Sequence, residues 1–189
     1  MILTDREIKL AIDKKLIVID PAPDEKAFSS TAVDLTLDEN ITEFKEGTGG
    51  IEQIIDPSHQ DFQSEKTLAL ISDKVCIPGD GYLLRPHRLV LAWTKEYVNL
   101  VSYNRVAARV EGKSSLARLG LGVHVTAPTI HAGFDGHIRL EMVNHGKLPI
   151  RLRTGMRICQ LIFEQTLGTP DKGYRGQFSG QAIKSAPSL

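Results

Sequence analysis

The hydrophobic positions change their spacing close to the beginning of the chain. Ile8, Ala11 and Ile12 recur at the spacing expected on the buried face of an amphipathic helix. Thr4 and Glu7 precede this stripe at the spacing of a capping box, in which the two side chains satisfy free backbone N–H groups at a helix start. The pattern therefore predicts one N-terminal helix.

After this helix, the hydrophobic positions follow the period of two that is typical of half-buried β-strands. Val33, Leu35 and Leu37, for example, alternate with polar residues. The predicted strands are Leu16–Ile19, Ala32–Leu37, Thr67–Ile71, Tyr82–Leu84, Leu89–Thr94, Val106–Val110, Gly122–Val125, His137–Asn144, Ile150–Leu152 and Met156–Glu164. Residues 43–63 are polar and Gly-rich and predict a long excursion. Many short strands joined by close turns predict a closed or sandwiched all-β domain.

Size and charge limit the class of protein. A chain of 189 residues suits a single domain, residues 1–189, with a real core. The 23 basic and 23 acidic residues balance, so no overall charge favours nucleic acid or an acidic membrane. No apolar run is long enough to span a bilayer, and the first residues do not resemble a signal peptide. Cys76 and Cys159 lie in apolar contexts, which predicts buried free thiols in a reducing cytoplasm.

One candidate for chemistry is the segment Gly112–Arg118, a turn of small residues in which two hydroxyls are bracketed by two cations. This composition suits an anion such as phosphate, because charged donors and backbone N–H groups supply charge-assisted hydrogen bonds. An ordinary polar turn between strands is the alternative, and composition alone favours it.

A second candidate is the strand segment Gly136–Asn144. Its apolar residues alternate with Arg139, Glu141 and Val143, so Glu141 leaves the strand on the face opposite the core. A carboxylate there is either exposed to solvent or part of a pocket or interface. The pattern by itself favours the solvent-exposed interpretation.

Together these segments resemble the dCTP deaminase branch of the dUTPase superfamily. The resemblance is carried, in chain order, by Ser114–Leu121, His124–Ala127, Gly133–Gly136, Leu140-Glu141 with Asn144, and Gly155-Met156 with Gln160-Leu161. Several motifs in the right order form a specific signal. The likeness is close in the central part of the chain and weaker over most of the remainder.

The fold implied by this resemblance is all-β, a distorted β-barrel or jelly roll of the dUTPase type with an N-terminal helix. The implied assembly is a homotrimer with shared active sites. In it the turn Gly112–Arg118 (the Ser114 turn) and the strand Gly136–Asn144 (the Glu141 strand) come from different chains. Residues 168–189 would form a C-terminal tail that closes over the nucleotide as a lid.

The activity implied by the resemblance is hydrolytic deamination of dCTP to dUTP and ammonia, which supplies dUMP and dTMP synthesis. Mg²⁺ would be bound through the triphosphate of the nucleotide. The family also implies feedback inhibition by dTTP and a cytoplasmic location. Neither nucleic acid nor a membrane is an expected partner.

The resemblance also assigns roles to residues. Glu141 would be the general base, and Ser114 and Arg118 would hold the water molecule and balance the carboxylate. Lys113 and Ser115 would bind phosphate oxygens. The other substrate-binding positions are Ala117, the backbone of Val125, Thr126 and Ala127 at the cytosine edge, His131, Phe134 against the deoxyribose, Arg139, Leu140, Gln160, Lys172, Tyr174 and Gln177.

The chain departs from the family pattern at three places. Lys113 replaces an Arg, and a Lys neutralises phosphate without binding it bidentately. His131 replaces the Asp that meets the sugar 3′-hydroxyl. In the tail, the spacing of Lys172 before Tyr174 differs by one residue.

The histidines and cysteines do not support zinc chemistry. Zinc deaminases need His-x-Glu followed by Pro-Cys-x-x-Cys, and Cys76 and Cys159 cannot supply that pattern. Deamination without zinc has to activate water with a carboxylate, which again nominates Glu141.

Three alternatives belong to the same superfamily. A dUTP diphosphatase would need its water-activating Asp where this chain has His131, and its strand lacks an acid at the position of Glu141. A bifunctional enzyme that makes dUMP is less favoured for the same reason. A non-catalytic nucleotide-binding trimer is the third alternative, and His131 is its main support.

Overall fold

The computed structural model of the protein describes residues 1–47, 54–101, 105–171 and 182–183. In these residues there are three α-helices, α1 (Asp5–Asp13), α2 (Ser64–Ile71) and α3 (Ser114–Ala117), and a short 3-10 helix at Glu25–Ala27. None of these described helices is long and apolar enough to cross a membrane. The strands are β1 (Ile17–Asp20), β2 (Phe28–Ser29), β3 (Ala32–Phe44), β4 (Ser72–Cys76), β5 (Tyr82–Leu84), β6 (Leu89–Leu100), β7 (Val106–Gly112), β8 (Leu121–Gly122), β9 (Thr129–Ile130), β10 (Asp135–Asn144), β11 (Ile150–Leu152) and β12 (Arg157–Gln165).

The predicted N-terminal helix is confirmed as α1. Thr4 and Glu7 form the capping box, with the backbone N–H of Thr4 donating to the Glu7 carboxylate at 3.1 Å. Ile8 and Ala11 are buried, and Ile12 packs against the core as the third member of the predicted stripe. The helix thus covers one side of the β-structure.

Most strands form one curled sheet with the order β8-β10-β6-β3-β12-β7-β9. β1 pairs with β6, β2 and β4 pair with β3, and β5 and β11 form a separate pair. The inner face carries a hydrophobic core whose largest buried side chains include Leu35, Leu140, Met142, Ile158 and Phe163. The prediction of an all-β, barrel-like fold with an N-terminal helix is confirmed.

The pairing of β10 with β6 shifts its register between His137 and Arg139. At this point the N–H of Ile138 donates to Oγ1 of Thr94 at 3.1 Å, and the Thr94 hydroxyl donates to the carbonyl of Glu96 at 2.9 Å. The side chain of Thr94 therefore satisfies backbone groups that the irregular ladder leaves unpaired. Beyond the shift, β10 keeps a regular alternation of buried and partly exposed residues.

Two predicted strands are wrong. Thr67–Ile71 lies in α2, because its apolar residues also suit a short helix and Lys66, Leu68 and Ala69 are good helix formers. Of the predicted strand Gly122–Val125, only the first residue belongs to β8. Beyond it the chain turns away into the loop of residues 123–128, which leads to β9.

The two cysteines differ from each other. Cys159 on β12 is buried, as predicted, and burial raises the pKa of its thiol. Cys76 is exposed, so the prediction of burial is wrong there. It ends β4, which pairs only with β3 among the described strands and leaves the Cys76 side chain at the surface.

Candidate active site

A pocket of about 260 Å³ opens beside the edge of β10 that faces away from β6. On this edge β10 pairs with β8 only at Val143 and Asn144. The pocket is lined by Val110 of β7, His124 and Ala127 before β9, Thr129 and Ile130 of β9, His131 and Phe134 after it, and Ile138, Arg139, Leu140 and Glu141 of β10. It therefore lies between the two ends of the curled sheet.

Glu141 is half-buried on the outward face of β10, as its alternation predicts. Its neighbour across the ladder on β6 is Leu91, an apolar residue. Among the described residues, the Glu141 side chain has neither a hydrogen bond nor an ion pair. The carboxylate oxygens can therefore accept protons or hydrogen bonds from a molecule in the pocket.

His131 and Phe134 belong to a tight turn after β9. The N–H of Phe134 donates to the carbonyl of His131 at 3.0 Å, and the N–H of Leu100 donates to the carbonyl of Phe134 at 2.8 Å. Gly133 has a φ of +85°, a conformation that glycine adopts without strain. The turn buries Phe134 in the pocket wall and leaves His131 exposed at the rim.

His124 also lines the pocket, and the sequence reasoning missed it as a site residue. Its Nδ1 atom is buried and has no hydrogen-bond partner in the described part of the chain. The signal was present, because His124 begins the His-Val-Thr-Ala segment that carries part of the resemblance.

The Ser114 turn folds as α3, with Lys113 as its N-terminal cap. Ser114, Ser115, Ala117 and Arg118 are exposed, and none of them lines the pocket. Their hydroxyls and charge are therefore open to a ligand or to another molecule.

Lys113 has a partner that the sequence did not indicate. Its Nζ lies 2.5 Å from Oδ2 of Asp34 on β3. Gln160, which is paired with Asp34 in the ladder, donates from Nε2 to the carbonyl of Gly112 at 3.2 Å. These contacts fix the base of the turn to the sheet. Asp34 stands in a regular alternation, where it gives no local sign of this role.

The structure brings part of the predicted site together in one chain. The pocket contains Ala127, His131, Phe134, Arg139, Leu140 and Glu141. Outside its lining lie Lys113, Ser114, Ser115, Ala117, Arg118, Val125, Thr126 and Gln160. Lys172, Tyr174 and Gln177 lie outside the described residues. In the described ranges, no cluster of three or more His, Cys, Asp or Glu side chains could hold a metal ion.

Comparison with solved structures places the fold in a known class. The structure of 2′-deoxycytidine 5′-triphosphate deaminase from Agrobacterium tumefaciens matches with a TM-score of 0.65 at 20% sequence identity. The match covers 87% of this chain and 48% of that chain. The chain therefore has the β-fold of that class of enzyme.

Sequence comparison gives the family. A family model described as dCTP deaminase-like matches residues 2–166. A protein named dCTP deaminase, dUMP-forming, from Methanobrevibacter smithii is 38% identical over 89% of this chain and 82% of its own length. One named dCTP deaminase from Shewanella loihica is 41% identical over 87% of this chain and 84% of its own length. The chain belongs to the dCTP deaminase-like family.

Proposed function

We propose that the protein converts dCTP and water to dUTP and ammonia. The observation that carries this proposal is Glu141, a half-buried carboxylate without a protein partner in the described chain, on the wall of a largely apolar pocket. Such a pocket with a few polar groups suits a nucleobase. Because the chain belongs to the dCTP deaminase-like family, the proposed base is cytosine.

The reaction requires several proton transfers at one edge of the cytosine ring. Water attacks C4 and gives one proton to Glu141, which passes it to ring nitrogen N3. The hydroxyl now on C4 gives its remaining proton to Glu141, which passes it to the amino group, so that the C4–N bond breaks and ammonia leaves as the C4 carbonyl forms. A single carboxylate held beside the ring can serve all of these transfers as acid and base.

The Ser114 turn is the proposed site for the triphosphate. Lys113 and Arg118 supply positive charge, and Ser114 and Ser115 supply hydroxyls, which together suit phosphate oxygens. The separation of this turn from the Glu141 pocket within one chain supports a homotrimer in which a neighbouring subunit supplies the turn. Ser114 and Arg118 would then also hold the water molecule beside Glu141.

The remaining contacts follow from position. Phe134 would pack against the deoxyribose, His131 would meet the sugar at the rim, and the backbone of residues 125–127 would bind the cytosine edge. Lys172, Tyr174 and Gln177 would contribute from a lid formed by residues 168–189. We expect dTTP to compete for the same site, in the cytoplasm.

Mg²⁺ enters this proposal as part of the substrate, as a complex with the nucleotide. Glu141 is the one acidic side chain among the described lining residues, and a lone carboxylate suits proton transfer better than a protein-built Mg²⁺ site. The ion would be held by phosphate oxygens and water, and it neutralises charge on the triphosphate.

A second candidate is the formation of dUMP. Relatives named with and without this product match at similar identity, 38% and 41%, so the similarity favours neither product. His131 stands where the resemblance places the water-activating Asp of dUTP hydrolysis, which favours dUTP as the product.

The test is incubation of the pure protein with dCTP and Mg²⁺, with ammonia, dUTP, dUMP and pyrophosphate followed in parallel. Equal amounts of ammonia and dUTP would support the proposal. Pyrophosphate and dUMP released with the ammonia would establish the dUMP-forming reaction instead. A parallel incubation with dUTP alone detects diphosphatase activity, and nucleotide binding without any product would indicate a non-catalytic protein.

A further inference from the structure

Arg139 and Glu141 are separated by one residue on β10 and leave the strand on the same face. Residues two apart on a strand lie about 7 Å from each other, within reach of an arginine side chain. Both residues line the pocket. Arg139 could therefore form an ion pair with Glu141, but in the structure it does not.

Two other side chains hold Arg139. Its Cζ lies 5.2 Å from the ring centre of Trp93, which is its neighbour across the ladder on β6. Its Nη1 lies 3.3 Å from Oε1 of Glu65 on α2. The Arg139 side chain is 19% exposed and that of Glu65 is 61% exposed. The guanidinium therefore contacts one residue of β6 and one residue of α2.

We propose that Glu65 is a positioning residue of the candidate active site, which keeps Arg139 on the Trp93 ring and away from Glu141. The inference rests on the proposed function, because its effect is on Glu141 as the general base. An ion pair with Arg139 would cover the carboxylate that has to accept the proton from water. Helix α2 would in this way contribute to catalysis without touching the substrate.

Glu65 and Glu141 are the two carboxylates that could pair with Arg139. His124 and His131 line the same pocket from the loops around β9, and the residue opposite Glu141 on β6 is the apolar Leu91. Among the described residues, Glu65 is the acidic group in contact with Arg139. Once the charge of Glu65 is removed, Glu141 is the acidic residue two positions away on the same face of β10.

The test is Glu65→Gln. We expect kcat to fall by about threefold to tenfold with little change in KM, because Arg139 then pairs with Glu141. An opposite charge within about 4–6 Å lowers the pKa of a carboxylate. Glu141 would stay ionised to lower pH, so the acid limb of the pH–rate profile should move to lower pH. A loss of structure alone would not move this limb.

Glu46→Gln is the matched control. Glu46 also lies between β3 and β4 in the chain, is 82% exposed, and pairs with Arg88 at 3.1 Å. This variant should keep the kcat and the pH profile of the wild type. The double variant Glu65→Gln/Arg139→Met removes the competing cation as well. Its kcat should recover relative to Glu65→Gln, whatever happens to KM.

Three results would overturn the inference: a Glu65→Gln variant that behaves like Glu46→Gln, a change in KM alone, or a double variant without recovery of kcat. The absence of ammonia from the wild-type protein would instead refute the proposed function. The two failures are therefore distinguishable.

Discussion

At the scale of single residues, the site depends on what faces each charged group. Glu141 meets an apolar residue across the ladder, whereas Lys113 meets Asp34 at 2.5 Å. The exposed hydroxyls of Ser114 and Ser115 remain open. Glu141 is therefore suited to proton transfer, and Lys113 is anchored to the sheet while it contributes charge to the turn.

Glu141→Gln tests the general base. The change keeps the size of the side chain but removes the proton acceptor, so kcat for ammonia release should fall by about 10²–10⁴. The affinity for dCTP should change little, because in the proposed site the Ser114 turn would supply the phosphate contacts. Kinetics and direct binding measure the two effects, with the exposed Glu39→Gln as control. Turnover within a few-fold of wild type would remove Glu141 from the mechanism.

The two thiols should react at very different rates. The thiolate is the reactive form, and burial raises the pKa of Cys159 while Cys76 is exposed. At pH 8, a thiol reagent should modify Cys76 rapidly and Cys159 only after unfolding. Because folding raises the pKa of Cys159, its contribution to stability is present below the unfolded pKa and decreases at higher pH. Rapid modification of both thiols in the native protein, or of Cys159 in native Cys76→Ser, would contradict this prediction.

At the scale of elements, local alternation predicted those strands whose pairing contains no register shift, including β5, β7 and β11. β3 and β6 are longer than predicted, because polar residues at register shifts interrupt the alternation. At the shift in β3, both the backbone N–H and the side-chain amide of Asn40 donate to the Asp38 carboxylate, at 2.9 and 2.7 Å. Such compensation depends on a partner strand and leaves no periodic signal in the sequence.

The junction between α3 and β8 depends on a close contact of two glycines. Gly120 has a φ of +95°, and a Cβ there would lie 2.4 Å from the backbone nitrogen of Gly146. Gly120→Ala should therefore lower the free energy of unfolding by about 2–5 kcal/mol, from backbone strain and steric overlap together. Denaturant titration measures this loss.

Gly155→Ala is the matched control for this junction. Gly155 also has a positive φ, +77°, but a Cβ there would meet no atom within 4 Å. Strain alone should cost about 1 kcal/mol. Equal losses in the two variants would show that the contact with Gly146 is not the cause.

At the scale of the whole molecule, one chain presents two separate parts of the proposed chemistry. The Glu141 pocket lies between the ends of the curled sheet, and the Ser114 turn lies outside its lining. Leu119 and Leu148 are large, exposed apolar residues near the turn, where His145 donates its N–H to Gly120 at 2.7 Å. The resemblance could nominate residues of both parts, but periodicity within one chain carries no information about contacts between chains.

Mixed oligomers test whether two chains build one site. Arg118→Ala and Glu141→Gln should each be inactive alone, because the first lacks a residue of the turn and the second lacks the base. If the parts come from different subunits of a homotrimer, co-expression of the two variants should restore intact sites. Random assembly of equal amounts should make about one quarter of the sites fully wild type.

The specific activity of the purified mixture measures this recovery, and sedimentation checks that the oligomer is a trimer. A mixture as inactive as its components would place both parts in the same chain, and a protein that sediments as a monomer would exclude the shared site.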